Sequence, residues 1–135
     1  MSALFTYQRS VTLTPTQVKA LFTTPIVLIT APGAGVIITV DRIVFASTFV
    51  AAAYTGANAL EFRYTDASGA KVTADIAAAT LNFASGTQYS TVAGVTTEFV
   101  PVANAAIVVC VPIANPAVGD SPVVITVEYN ERTTP

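Results

Sequence analysis

The sequence has no histidine, no tryptophan and a single cysteine among 135 residues. One cysteine excludes an internal disulfide, and without histidine a structural zinc site lacks its ordinary ligands. The missing histidine also removes the general base that a serine or threonine nucleophile ordinarily needs. We therefore expect no structural zinc site, and we do not expect an enzyme.

Charge is scarce as well: charged residues make up 10% of the chain and hydrophobic residues 53%, with a net charge of −2. No basic run is present that would neutralise phosphates, so no nucleic-acid partner is expected. The carboxylates supply candidates for glycoside hydrolysis, but their spacing selects no pair. We interpret three charge pairs as lying on solvent-facing surfaces: Asp41 with Arg42, Glu61 with Arg63, and Lys71 with Asp75.

Long uncharged stretches occur at residues 20–40, 76–97 and 99–119, but each is interrupted by Thr, Pro, Gly or Asn. None reads as a membrane span. Residues 1–10 lack the apolar core of a signal peptide, so folding in a cytoplasm is expected. Cys110 lies in an apolar run and is expected to be a small buried hydrophobe.

Alternating polarity predicts strands. Residues 123–130 alternate between apolar and mostly polar positions, and residues 60–66 place Leu60, Phe62 and Tyr64 on one face with charged residues on the other. The turn at 67–69 joins the strand at residues 60–66 to residues 71–76 in a hairpin.

Other apolar segments also predict strands. Residues 26–31 and 36–40 flank Pro32-Gly33-Ala34-Gly35, which indicates another hairpin. Residues 26–29 and 107–111 are apolar throughout, as expected of strands covered on both faces. Residues 77–94 carry no clear pattern.

Thr14, Pro15 and Gln17 form a capping-box pattern that predicts one short N-terminal helix. About seven or eight short strands separated by turn residues indicate an all-β antiparallel β-sandwich, with a jelly roll as the natural variant. Residues 1–12 are read as an N-terminal arm or a first strand, and residues 13–135 as one sandwich domain.

Two groups of residues are candidate contacts with a partner. The N-terminal segment supplies one group, because ordered arms bind by adding a strand; a first strand of the sandwich is the alternative. Loop aromatics supply the other, with core packing as the alternative. The candidates are Leu4, Phe5, Tyr7, Val11, Tyr54, Phe83 and Tyr89.

Apolar residues also occupy strand positions at which a monomer would prefer polar groups. These residues are Val44, Ala46, Val100, Val102 and Val124. Contiguous exposed apolar surface usually marks an interface, so we expect a homo-oligomer or a subunit of a particle.

Several elements follow one another in a fixed order along the chain. They are Leu13-Thr14-Pro15-Thr16-Gln17-Val18-Lys19-Ala20-Leu21, Thr24-Pro25-Ile26, Ala31-Pro32-Gly33-Ala34-Gly35, Ala53-Tyr54-Thr55-Gly56, Leu60-Glu61-Phe62-Arg63-Tyr64, and Gly119-Asp120-Ser121-Pro122-Val123 leading to Tyr129. In this order they resemble small virion proteins of tailed bacteriophages, the jelly-roll capsid decoration (cement) proteins and their relatives.

The resemblance implies a structural protein on the outer surface of a phage head, made in the host cytoplasm. It would form dimers or trimers, bind the major capsid protein and cement neighbouring capsomers, with no catalytic residue and no cofactor. An alternative is a tail- or fibre-associated module that binds carbohydrate or a receptor through Tyr54, Phe83 or Tyr89. A carboxylate-dependent glycosidase is a third reading.

Overall fold

The computed structural model describes residues 5–56, 58–95 and 100–134, with the Phe5 side chain outside the description. Within these residues the chain is mostly β-structure with two one-turn helices. The elements are β1 (Phe5–Leu13), α1 (Pro15–Val18), β2 (Ile26–Ile29), β3 (Val36–Thr48), β4 (Tyr54–Thr55), β5 (Glu61–Tyr64), α2 (Ala78–Leu81), β6 (Thr87–Ala93), β7 (Ile107–Cys110), β8 (Ala117–Val118) and β9 (Val123–Thr133).

The four-stranded sheet has the order β1-β9-β3-β6, and every pair in it is antiparallel. The predicted strand at residues 123–130 is confirmed as the main part of β9, which lies between β1 and β3. Val123, Ile125 and Val127 are buried, as the alternating pattern predicts.

One outward position in that strand was predicted wrongly. Asn130 is buried, because its side chain is held between two partners. Its Nδ2 donates to Asp41 Oδ2 at 2.6 Å, and its Oδ1 accepts from Thr6 Oγ1 at 3.2 Å. Asp41 lies at a register shift of β3 between Val40 and Arg42, which turns its carboxylate toward the amide.

The three-stranded sheet has the order β2-β7-β5. The predicted hairpin after β5 is confirmed: residues 70–76 return along this strand, with Leu60 N donating to Ile76 O at 2.8 Å and Tyr64 N to Ala70 O at 3.0 Å. The same segment reaches the end of β6, since Val95 N donates to Val72 O at 3.0 Å. Residues 70–76 therefore connect the two sheets.

The hairpin predicted around Pro32-Gly33-Ala34-Gly35 is wrong. β2 pairs with β7, whereas β3 pairs with β9 and β6, so the turn carries the chain from one sheet to the other. Gly33 and Gly35 adopt φ angles of 116° and 74°, which are costly for residues with a side chain. A turn signal identifies a reversal of the chain but not whether the flanking strands pair.

The hydrophobic core lies between the sheets. The four-stranded sheet contributes Ile43 and Phe45, and the three-stranded sheet contributes Phe62 and Val109, all fully buried. Leu60, Phe62 and Tyr64 point inward as predicted. These layers make an all-β antiparallel sandwich.

The two segments that are apolar at every position, residues 26–29 and 107–111, are not equally buried. Residues 107–111 are buried at every position, which confirms the prediction for β7. The prediction is wrong for β2, because this strand lies at a sheet edge and Val27 is 50% exposed.

Cys110 is buried, as predicted, and burial raises the pKa of its thiol. Because the thiolate is the reactive form, we expect a thiol reagent such as Ellman's reagent to leave the folded protein unmodified. The same reagent should label Cys110 completely in denaturant. Rapid labelling of the folded protein would show that β7 is less protected than its burial indicates.

The first helical turn is fixed by reciprocal hydrogen bonds. The Thr14 hydroxyl accepts from Gln17 N at 3.2 Å, and Gln17 Oε1 accepts from Thr14 N at 2.9 Å. α1 then ends within one turn, and β2 begins directly after Pro25.

The stretch 77–94, for which the sequence predicts no element, contains α2 and β6. No helix among the described residues is long and apolar enough to cross a membrane.

Candidate interaction surface

The side of the four-stranded sheet that faces away from the core is a broad surface, which we call the outer face. Cα partners on neighbouring antiparallel strands direct their side chains to the same side, so the strand registers define its rows. The rows are Thr12-Val124-Ala46-Tyr89, Ser10-Thr126-Val44-Thr91 and Gln8-Glu128-Arg42-Ala93, read from β1 to β6.

The chemistry of the outer face is unusual for a solvated sheet. Its members are mainly small apolar and hydroxyl residues, and three of the predicted surplus apolar residues, Val44, Ala46 and Val124, come together on it. Tyr89 is its large aromatic residue and is 70% exposed. Small apolar and hydroxyl side chains cost less to remove from water than charged ones do, so the face is suited to contact with another protein.

Charge on the outer face is confined, in the rows given above, to one ion pair. Arg42 Nε and Nη2 donate to the two Glu128 oxygens, each at 2.8 Å. The hydrogen bond from Arg42 lowers the pKa of the Glu128 carboxyl, and the same bond raises the pKa of Arg42. The predicted Asp41–Arg42 pair is wrong, since Arg42 pairs across strands.

A shallow open hollow of about 340 Å³ lies at one end of the outer face. Tyr89 and Val50 lie among its lining residues, and both are strongly exposed. The full lining is Ala46, Ser47, Thr48, Val50, Thr87, Tyr89, Pro122 and Val124.

Hydrogen bonds fix the loop that borders this hollow. Asp120 Oδ1 accepts from Ala51 N at 3.1 Å and from Ala52 N at 2.9 Å, and these bonds lower the pKa of the Asp120 carboxyl. Val50 N donates to Ser121 Oγ at 3.1 Å. The border is therefore preformed.

The predicted contact residues fall in different places. Tyr89 lies on the outer face, whereas Phe83 is half-buried and meets Phe49 edge-on at 6.2 Å between ring centroids. Tyr54 adopts the core packing that was the alternative for the loop aromatics: it is 2% exposed, and its hydroxyl donates to Ser121 O at 2.7 Å. The segment Ala53-Tyr54-Thr55-Gly56 has the composition of a loop, and it gives no sign that Tyr54 pairs with Val118 in β8.

The N-terminal candidates lie in or before β1. Phe5, Tyr7 and Val11 belong to this strand, which pairs with β9 over nine residues. Tyr7 stacks on Tyr129 with ring centroids 5.3 Å apart, and Val11 packs against the core. Leu4 lies outside the described residues.

A second feature, which we call the Glu61 cluster, joins Glu61, Arg63, Lys71 and Asp75. Glu61 was predicted to face solvent but is 6% exposed, because the two cations cover it. Its Oε1 accepts from Arg63 Nη2 and its Oε2 from Lys71 Nζ, each at 3.0 Å. Arg63 also donates to Gly69 O at 2.7 Å, and Lys71 to Asp75 at 3.0 Å.

The Glu61 cluster holds one segment of the chain against another. Arg63 in β5 donates to Gly69 in the turn, and Lys71 in the returning segment contacts Glu61 in β5. The cluster therefore holds residues 70–76 against β5. Within the described residues, no group of three or more potential metal ligands lies close enough to hold an ion. Sequence spacing indicated the Glu61–Arg63 and Lys71–Asp75 pairs, but it did not indicate the Lys71–Glu61 contact that joins them.

No protein family model matches the sequence, and no curated protein matches it. A solved structure described as the "Cyanophage Pam1 capsid asymmetric unit" contains a chain similar to this one, with a TM-score of 0.50 and 20% sequence identity. The similarity covers 98% of this chain and 85% of that chain. At this level of identity, the likeness shows a shared fold.

Proposed function

We propose that this chain is a structural virion protein that binds the outer surface of a phage capsid as a homo-oligomer and cements neighbouring capsomers. The observation that carries the proposal is the fold likeness to a chain of a phage capsid asymmetric unit over 98% of this chain. The outer face supports it, because a broad surface with little charge is suited to contact with other proteins.

The strand order supports assignment of the sandwich as a jelly roll. Residues 70–76 extend the second sheet beyond β5, giving β2-β7-β5 plus a fourth segment beside β1-β9-β3-β6. This order corresponds to two Greek keys folded across two sheets. Jelly rolls occur among viral capsid domains and lectins, so the order is compatible with a capsid role.

The proposed capsid partner can be tested by adding the purified chain to phage heads assembled without it. We expect the chain to cosediment with the heads at a saturating, fixed stoichiometry and to raise the temperature at which the heads release DNA. Heads saturated with the chain beforehand are the control for specific binding. A chain that stays in the supernatant at all concentrations would contradict the proposal.

A tail- or fibre-associated carbohydrate-binding role is the second candidate. The hollow favours it, because exposed Tyr89 offers a stacking surface near the hydroxyls of Thr48 and Thr87. Aromatic faces beside hydroxyl groups suit sugar rings. A glycan array should then show binding that Tyr89→Ala abolishes, whereas no bound glycan would remove this candidate.

A further inference from the structure

We propose that the outer face binds a second copy of this chain, sheet against sheet, about a two-fold axis that runs along the strands between β3 and β9. This proposal rests on the proposed function, which calls for a homo-oligomer, and it names the surface involved. Two properties of the face support it: the arrangement of its charges and the match of large and small side chains across the axis. The area of the face sets the expected strength of the dimer.

The charge arrangement matches a second copy. Arg42 in β3 and Glu128 in β9 are Cα partners on the two central strands. A two-fold axis between these strands places Arg42 of each copy opposite the partner's Glu128. The Arg42 and Glu128 side chains of the two copies then alternate around the axis, so each Glu128 carboxylate lies between two guanidinium groups.

The remaining rows also match under this axis. Ala46 faces the partner's Val124, and Val44 faces the partner's Thr126, because each pair shares a register row. At the sheet edges, the large Tyr89 on β6 faces the small Thr12 of the partner's β1. Each contact occurs twice, as an isologous interface requires.

The area predicts a weak dimer. Four strands about 4.8 Å apart and about 24 Å long give a footprint of roughly 450 Å². A standard interface buries about 800 Å² on each partner, so the outer face alone lies at the low end. The free chain should therefore associate only at micromolar or higher concentration. In a particle, simultaneous contacts with other subunits would stabilise the dimer further.

Charge reversal tests this interface. In sedimentation velocity over a concentration series to about 1 mM, a range suited to interfaces of this size, the wild type should show a reversible monomer–dimer equilibrium. Arg42→Glu places four carboxylates around the axis and should raise the dissociation constant at least about tenfold. The double variant Arg42→Glu with Glu128→Arg restores alternating charges and should recover the wild-type constant within about twofold.

Two further variants separate the face from general surface effects. Thr91→Arg adds a cation to the exposed edge strand of the face and should also weaken association. Ile113 is 74% exposed in the loop after β7, a strand of the other sheet, so Ile113→Arg is the matched control and should leave the dissociation constant unchanged. Circular dichroism of each variant checks that the fold is retained.

The outcomes are distinct from those of the head-binding experiment. A wild type that stays monomeric to about 1 mM, a range that covers weak interfaces, overturns the dimer even when heads bind the chain. A dimer that Arg42→Glu leaves unchanged overturns this choice of face. A dimer with the expected charge dependence, together with heads that bind no chain, supports the interface and removes the capsid role.

Discussion

Replacing Glu61 with alanine should lower the free energy of unfolding by about 2–3 kcal/mol, because it leaves Arg63 and Lys71 without their shared anion. The Arg63 side chain is 20% exposed and the Lys71 side chain 39% exposed, so solvent compensates Lys71 more fully. Urea denaturation of both proteins measures the difference.

The stabilisation by Glu61 depends on pH through the pKa of its carboxyl, and the isosteric variant Glu61→Gln tests this dependence. Burial alone would raise that pKa, but hydrogen bonds from Lys71 and Arg63 outweigh burial and lower it below the ordinary value of 4.5. A carboxyl with a lowered pKa stabilises the fold above its unfolded pKa, and this stabilisation is lost as pH falls through the folded pKa. The stability gap between wild type and Glu61→Gln should therefore be largest near neutral pH and close in acid.

A surface ion pair provides the control. Glu128 pairs with Arg42, whose side chain is 52% exposed, so Glu128→Gln should change monomer stability little. Equal losses for Glu61→Gln and Glu128→Gln would show that the Glu61 cluster is no more than a surface pair. A gap for Glu61→Gln that persists unchanged into strong acid would contradict the assigned cause.

Replacing Gly94 with alanine should destabilise the fold by about 3 kcal/mol, because the added methyl group collides with backbone rather than with a mobile side chain. Its Cβ would lie far inside contact distance of the Val40 carbonyl oxygen. Gly94 N also donates to Asp41 O at 2.9 Å, so the strand end cannot move away without losing that bond. Thermal and urea unfolding measure the loss.

Gly86 is the matched glycine for this comparison. It has a φ of 68° but no atom within 4 Å of an added Cβ, so Gly86→Ala carries conformational strain without collision. Its expected cost is about 1 kcal/mol. Equal costs at the two positions would show that the close approach of β6 to the β3 register shift does not limit residue 94.

Much of the fold could be predicted because alternation of side chains reports burial directly. The predicted hairpin after β5, the strand at β9 and the fully buried β7 followed from local patterns. Strand pairing at Gly33 and Gly35 could not be predicted, because a turn looks the same whether its strands share a sheet or cross between sheets.

The candidate surface could be predicted in part. Val44, Ala46 and Val124 stood out as apolar at outward positions, and the registers bring them together. Their relation to the Arg42–Glu128 pair depends on residues 86 positions apart, which no local pattern reports. Burial of Glu61 likewise depends on Lys71 from the returning segment.

Cryo-electron microscopy of the phage particle that carries this protein tests the central claim most directly. The account predicts density for a sandwich of this size on the outer surface of the head, at the junctions of capsomers and in contact with the major capsid protein. Density for the chain restricted to the tail or fibres would contradict it.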